Sequence, residues 1–273
     1  MAILDVDFQF MPEGRVRSDI SGFEPIFINN LEVRVTEDAE LIYEAKRLRY
    51  KVFYEEGGAI ADEATRILGI DQDLFDRVAD HLVVLDHSTY GKPKVVGTYR
   101  LTRESQSSRV GGFYSSQEFD LTRLEQKSAK LLELGRACVH PEFRNLKVLN
   151  ALWCGISAYI DAYDIAYMFG CASFPGIEID GVREAFSFLH HEYLAPEDIR
   201  PRALNDMYIP MNWMPLNEID ARRAFKSLPP LVQGYLRAGA LVGDGAIADE
   251  NFQTIDICIL LDASYLQSRF LHH

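Results

Sequence analysis

Between Leu131 and Arg144 the chain reads Leu-Leu-Glu-Leu-Gly-Arg-Ala-Cys-Val-His-Pro-Glu-Phe-Arg. Leu131 to Val139 is apolar and β-prone, yet it carries a carboxylate at Glu133 and a guanidinium at Arg136, with Gly135 between them. Charge inside a buried strand is costly unless it is paired or used. Glu133 has the chemistry of a general base: an amine nucleophile is protonated at neutral pH, so acyl transfer to it needs a proton acceptor, directly or through water. It equally suits a strand carboxylate paired with Arg100 or Arg136. In a regular strand Glu133 and Arg136 point to opposite faces. A bulge near Gly135 would bring them to one face and aim a backbone N–H at a reacting carbonyl.

Three further sets of residues could do chemistry. The run Arg144 to Asn150 can hold a phosphate through helix N-terminal amides with Arg144 and Lys147, although basic residues at a helix start are also common solvated charges. Arg49, Arg100 and Arg103 with Asp71, Asp73 and Asp76 suit either a zwitterionic amino acid or a solvated surface. Cys138 and Cys171 are potential acyl acceptors, but neither has an activating histidine nearby in sequence, and buried packing is the better reading. His81, at a strand start, reads as a structural hydrogen-bonder. No metal-ligand spacing or serine-nucleophile motif is present, so no metal site is expected.

These residues need elements to position them. His140-Pro141 ends the central strand, because proline cannot donate to a ladder, and Arg144 to Tyr163 reads as a helix. Leu31 to Val35 is a short strand, and Thr36 is the expected cap of an amphipathic helix running to about Tyr54 and broken at Gly57-Gly58. Leu82–Leu85 and Lys94–Leu101 are strands, followed by a polar loop over about 104–116. Ala166–Ala172 is a buried strand interrupted by Gly170. A helix over 181–192 follows, then a proline-rich insertion over about 195–227 and a short helix ending at Arg237. Gly239 and Gly243-Asp-Gly245 read as loop before a final strand, Thr254–Leu261. The domain then spans 31–262, between an irregular arm (1–30) and a tail (263–273). Its class is α/β, an α+β mixed sheet in which a helical crossover joins two neighbouring strands.

The 273 residues can bury a sizeable core, and 48% hydrophobic with 25% charged content is ordinary for a folded soluble protein. A net charge of −13 argues against a nucleic-acid partner and against simple attachment to anionic lipid. The four cysteines lack any C-x-x-C pairing, which fits reduced thiols and a cytoplasmic location. No apolar stretch is long enough to span a bilayer.

The segment Leu132 to Arg144, together with Phe169-Gly-Cys-Ala-Ser-Phe-Pro-Gly176, closely resembles the bacterial ornithine-lipid N-acyltransferases, a branch of the GNAT superfamily. Arg49-Tyr-Lys-Val-Phe-Tyr-Glu-Glu56, Phe75 to Leu82, Val96 to Leu101, Gly111-Gly-Phe-Tyr114, Glu118-Phe-Asp-Leu121, Leu228 to Arg237 and Val242 to Ala246 match as well. The resemblance covers roughly residues 31–262. It implies a GNAT-like fold with helices on both faces, and transfer of a 3-hydroxyacyl group from acyl carrier protein to the α-amine of an amino acid, with ornithine the best-known acceptor. The co-substrate would be acyl-phosphopantetheine, with no tightly bound cofactor. The missing glycines after the central strand suit a pantetheine arm rather than coenzyme A.

On that resemblance Glu133, Gly135 and Arg136 are the expected catalytic group. Arg49, Phe53, Asp71, Asp73, Arg100, Ala137 and Cys138 are the expected acceptor site. Arg144, Lys147, Ser173 and Phe174 would meet the acyl-pantetheine, Trp153, Phe169 and Phe174 would line an acyl tunnel, and Arg222, Arg223 and Lys226 would help dock the acidic carrier. Such docking should weaken with added salt. The lipid product implies peripheral contact with the cytoplasmic face of the inner membrane. Acyl-homoserine-lactone synthases are similar at Arg49, Phe53, the Asp71–Asp76 region, Arg100, Glu133 and Arg136, which makes them the second reading. A non-catalytic GNAT-fold binding module is the third.

Overall fold

The computed structural model describes residues 23–88, 91–127 and 130–265. Its first four strands, β1 (Ile26–Ile28), β2 (Leu31–Thr36), β3 (Asp80–Asp86) and β4 (Lys94–Arg103), pair antiparallel in chain order. The β1 strand lies in the segment expected to be irregular; a turn at Asn29 (φ 55°) folds it onto β2. Most of the expected N-terminal arm lies outside the described residues.

Between β2 and β3 runs helix α1 (Ala39–Tyr50). Its cap is Asp38, not Thr36: the Asp38 carboxylate accepts the amides of Glu40 and Leu41, while the Thr36 hydroxyl accepts the amide of Asp38. The helix widens into a π-turn over Lys51–Glu56 before Gly57. Such widened turns often stand at functional sites. A short helix, α2 (Glu63–Leu68), follows.

After β4 come α3 (Glu104–Ser107), β5 (Phe119–Asp120) and α4 (Thr122–Glu125). The central strand, β6 (Leu131–Val139), lies antiparallel to β4. Helix α5 (Leu146–Tyr163) then crosses to β7 (Tyr167–Pro175), parallel to β6. The remaining elements are α6 (Arg183–Tyr193), β8 (Arg202–Ala203), α7 (Ala221–Ser227), α8 (Pro230–Arg237), β9 (Leu241–Asp249) and β10 (Thr254–Asp262). The strand order is β1-β2-β3-β4-β6-β7-β10-β9-β8-β5.

The β9 strand was expected to be loop because of Gly239, Gly243 and Gly245. Two of those glycines mark close approach instead. A Cβ on Gly243 would lie 2.8 Å from the Pro201 carbonyl oxygen, and Gly245 (φ 84°) passes under the Tyr208 ring. The segment expected as an insertion, 195–227, supplies these contacts and packs on the sheet. Ile199 and Ala203 are buried with Phe113, Phe169, Ile247 and Leu260, so this segment closes one face of the sheet.

Helices cover both faces, as expected. Val148, Leu152 and Ile156 of α5 pack in one cluster with Leu82, Leu132 and Leu134. On the other face Ala45 and Leu48 of α1 pack with Val83, Val95 and Cys138.

Candidate active site

β6 and β7 pair only from Leu131↔Tyr167 to Glu133↔Phe169, then separate. At the crotch of this fork a Cβ on Gly170 would lie 2.2 Å from the Leu134 carbonyl oxygen, so only glycine lets β7 come this close. Beyond it opens a cavity of about 250 Å³ whose lining includes Phe53, Arg100, Glu133, Arg136, Ser173 and Asp256.

The register of β6 slips at the cavity wall. Thr98 faces Cys138 while Arg100 faces Gly135, so Arg136 and Ala137 together oppose Tyr99. This is the expected bulge, and its left-handed residue is Arg136 (φ 50°). A non-glycine residue in this region costs roughly 1–2 kcal/mol, and the side chain is well anchored against that cost. Its Nη2 donates to Asp73 at 3.0 Å, its Nε lies 3.2 Å from Asp71, and the guanidinium sits 4.9 and 4.7 Å from the ring centroids of Tyr114 and Phe252. The bulge places Glu133 and Arg136 on one cavity.

Glu133 is 3% exposed, and both carboxylate oxygens are engaged. Oε1 accepts the Ser115 amide at 2.7 Å and Oε2 the Tyr114 amide at 3.1 Å. The loop after β4 therefore folds back over the central strand, where this side chain holds two of its amides. Tyr114 and Ser115 line the cavity, as does Phe252, which follows β9.

The arginine–aspartate set is an internal network, except for Arg103, which pairs instead with Asp80 at 3.2 Å. Arg49 donates to Asp71 and, at 2.6 and 2.9 Å, to both oxygens of Asp76. Arg100 donates to Asp73 at 2.6 Å. Burial alone would lower the Arg49 pKa, but Asp76 and Asp71 overcome it and leave it raised. Burial likewise opposes ionisation of Asp76, yet Arg49 and Arg100 hold its carboxyl well below the usual range. Arg49 and Asp71 are each 1% exposed and do not reach the cavity, and Asp73 does not line it either. These three therefore stand behind the wall, while Arg100 and Arg136 are the guanidinium groups that line the cavity.

Other expected residues separate in space. Phe53, Gly135, Ala137 and Ser173 line the cavity. Cys138 is buried beneath α1, where burial pushes its thiol up to about 12. Phe174 packs edge-on against Phe186 on the opposite face, and Trp153 against Tyr235. Phe169 borders a void of about 10 Å³ behind the fork. Arg144 pairs with Glu56, and Asn145 rather than an anion takes the first amides of α5, at Lys147 and Val148. Arg222, Arg223 and Lys226 are exposed on α7, with Arg223 bound to Glu184.

Sequence reasoning overlooked Asp249, Asp256 and the role of Glu118. Asp256 and Asp249 line the cavity, and Glu118 accepts the Cys171 thiol at 2.9 Å. A signal existed in Ile255-Asp-Ile-Cys-Ile259, where one carboxylate interrupts an apolar strand.

The forked, bulged central strand lies within and beside a segment, residues 48–154, that matches the model of the acetyltransferase (GNAT) domain family. The chain is 42% identical over 250 residues to the L-ornithine Nα-acyltransferase of Brucella abortus (strain 2308), covering 90% of this chain and 89% of the relative. It is 39% identical to the enzyme of that name from Rhodobacter capsulatus, covering 87% and 92%. The chain belongs to the L-ornithine Nα-acyltransferase family. Among solved structures, the N-acyl amino acid synthase FeeM from uncultured soil microbes is 12% identical with a TM-score of 0.46, covering 91% of this chain and 97% of that one. The acyl-homoserine-lactone synthase LasI is 14% identical with a TM-score of 0.45, covering 89% and 91%. No helix among the described residues is long and apolar enough to cross a membrane.

Proposed function

We propose that this acyltransferase moves a 3-hydroxyacyl group from the phosphopantetheine thioester of acyl carrier protein to the α-amine of ornithine, giving a lyso-ornithine lipid. The observation that carries the reading is the β6 bulge, which sets Glu133 and Arg136 on one cavity at the fork. The pantetheine arm lies in the fork, where the edge of β6 has left β7. Arg136 meets the acceptor carboxylate. The amine attacks the thioester carbonyl: the C–N bond forms, a backbone N–H of the bulge receives the oxyanion, and the C–S bond breaks. The amine proton passes through water to Glu133, and the pantetheine thiolate leaves and takes up a proton. Transfer is direct, because burial keeps the thiols of Cys138 and Cys171 protonated. The enzyme works in the cytoplasm, where its carrier is found, and releases its product at the inner membrane.

The test is purified enzyme with 3-hydroxyacyl carrier protein, a panel of amino acids, and mass spectrometry of the products. Nα-acylated ornithine is the expected product. A lactone, or transfer only to neutral amino acids, would overturn the acceptor, and no transfer to any acceptor would overturn the donor.

A further inference from the structure

The mechanism leaves one wall of the cavity unused, the one made by β7, β9 and β10. Cys171, Asp249 and Asp256 line it, and Glu118 stands behind the Cys171 thiol. Glu118, Cys171 and Asp256 each bring a polar side-chain atom within 4.8 Å of the other two. Asp256 is 5% exposed, and its Oδ1 is buried without a hydrogen-bond partner at the cavity wall. An uncompensated carboxylate buried in this way calls for a cation or a proton. Arg136 is the nearby guanidinium, but it is turned to Asp71 and Asp73. Thr254 and Ser173 beside Asp256, and the Cys171 thiol on Glu118, are neutral, and Arg136 acts on both carboxylates only at a distance, so no cation among the described residues is paired directly with either.

Resting on ornithine as the acceptor, we infer that Asp256, with Glu118 adding negative charge from behind the Cys171 thiol, forms a subsite for the terminal ammonium of a diamino acid, and that this subsite selects cationic acceptors over neutral ones. Ser115 relates the subsite to the reacting centre. Its amide donates to Glu133, and its hydroxyl lies 3.3 Å from the Cys171 thiol, which donates to Glu118. The α-amine and the side-chain ammonium thus fall on the two sides of one serine, with Arg136 at a third point for the carboxylate. All three charges of the acceptor are matched. Burial first, then Asp256, pushes Glu118 up to about 7; burial pushes Asp256 up to about 6, against the opposing pull of Thr254 and Ser173 and with a smaller push from Asp249. The empty subsite is thereby partly protonated near neutrality, and an arriving ammonium displaces a proton to solvent.

The experiment compares ornithine with norvaline, which lacks only the terminal amino group, in kcat/KM with 3-hydroxyacyl carrier protein. The wild-type enzyme is expected to prefer ornithine strongly. Asp256→Asn and Glu118→Gln should each lower that preference at least tenfold, chiefly by raising KM for ornithine. A wild-type measurement guards against variants that fail to fold: calorimetric titration in buffers of different ionisation enthalpy should show proton release with ornithine and none with norvaline. An unchanged preference in folded variants, or equal proton release with both ligands, would overturn the subsite while leaving ornithine as acceptor. Stoichiometric zinc in the purified enzyme would make the trio metal ligands and also overturn it. A wild-type enzyme that acylates neutral amino acids and no diamino acid would remove the acceptor reading itself.

Discussion

Glu133 fastens the 113–118 loop as well as facing the cavity, so its replacement tests two functions at once. Glutamine at this position removes the proton acceptor and also turns an amide NH2 toward a backbone N–H, donor against donor. General-base catalysis contributes roughly 10²–10⁴-fold, and Glu133→Gln should lower kcat by about that factor at pH 7. The two losses are separable. If Glu133 takes the amine proton, the variant's rate should climb with pH toward the wild-type rate, because more of the acceptor amine is already deprotonated. A variant that stays equally slow from pH 7 to 9.5 has lost the loop and not the base. One that keeps full activity at pH 7 removes the base assignment.

At the scale of elements, α1 and the turn after Asp71 are tied by charge, and the tie supports the cavity from behind. Arg49 fixes Asp71 and Asp76; the same turn presents Asp73, which holds both Arg100 and Arg136. Breaking a buried ion pair by removing one partner costs roughly 3–5 kcal/mol. Arg49→Met should therefore lower the unfolding free energy by about 3 kcal/mol in urea denaturation, with the product of transfer unchanged in identity. A loss below about 1 kcal/mol would mean that Arg100 and Arg136 carry the aspartates without it. This network was legible as a set of residues, because three aspartates recur over Asp71–Asp76 and arginines stand in the helix at Arg49 and the strand at Arg100. Its inward direction was not, since periodicity says which face a residue shares and not what lies across from it. The central strand and α5 could be read from a β-prone run, a proline stop and an amphipathic helix. The β9 strand and the 113–118 loop could not. The first hides behind glycines required by Pro201 and Tyr208, and the second is held to Glu133 by backbone amides, which leave no mark in side-chain pattern.

Across the whole molecule, two groups of buried carboxylates pull stability in opposite directions along the pH scale. Asp71 and Asp76 have lowered pKa values, so their stabilisation is present above about pH 4 and is lost as acid protonates them. Glu118 and Asp256 have raised values, so the folded protein holds protons that the unfolded chain has released. Their effect is to lower stability as pH rises from about 4 through 7, levelling off above. Facing them are Cys171 from β7, Asp249 from β9, and Glu133 and Arg136 from β6, with Tyr114 on the loop. His140 and His190, whose pKa values burial lowers, contribute the opposite slope near pH 6, so the wild-type curve alone mixes the two. The difference between wild type and the Glu118→Gln, Asp256→Asn double variant isolates the carboxylates. Relative to wild type, the variant should gain on the order of 2–3 kcal/mol between pH 5 and pH 8, read from urea unfolding at each pH. Saturating ornithine should restore wild-type stability at pH 8 and do little for the variant. A difference that is flat with pH would show that the pair is ionised and compensated in the free enzyme. A difference that grows with pH as expected makes the instability at neutral pH the cost of keeping two carboxylates ready for a cation that the folded chain does not supply.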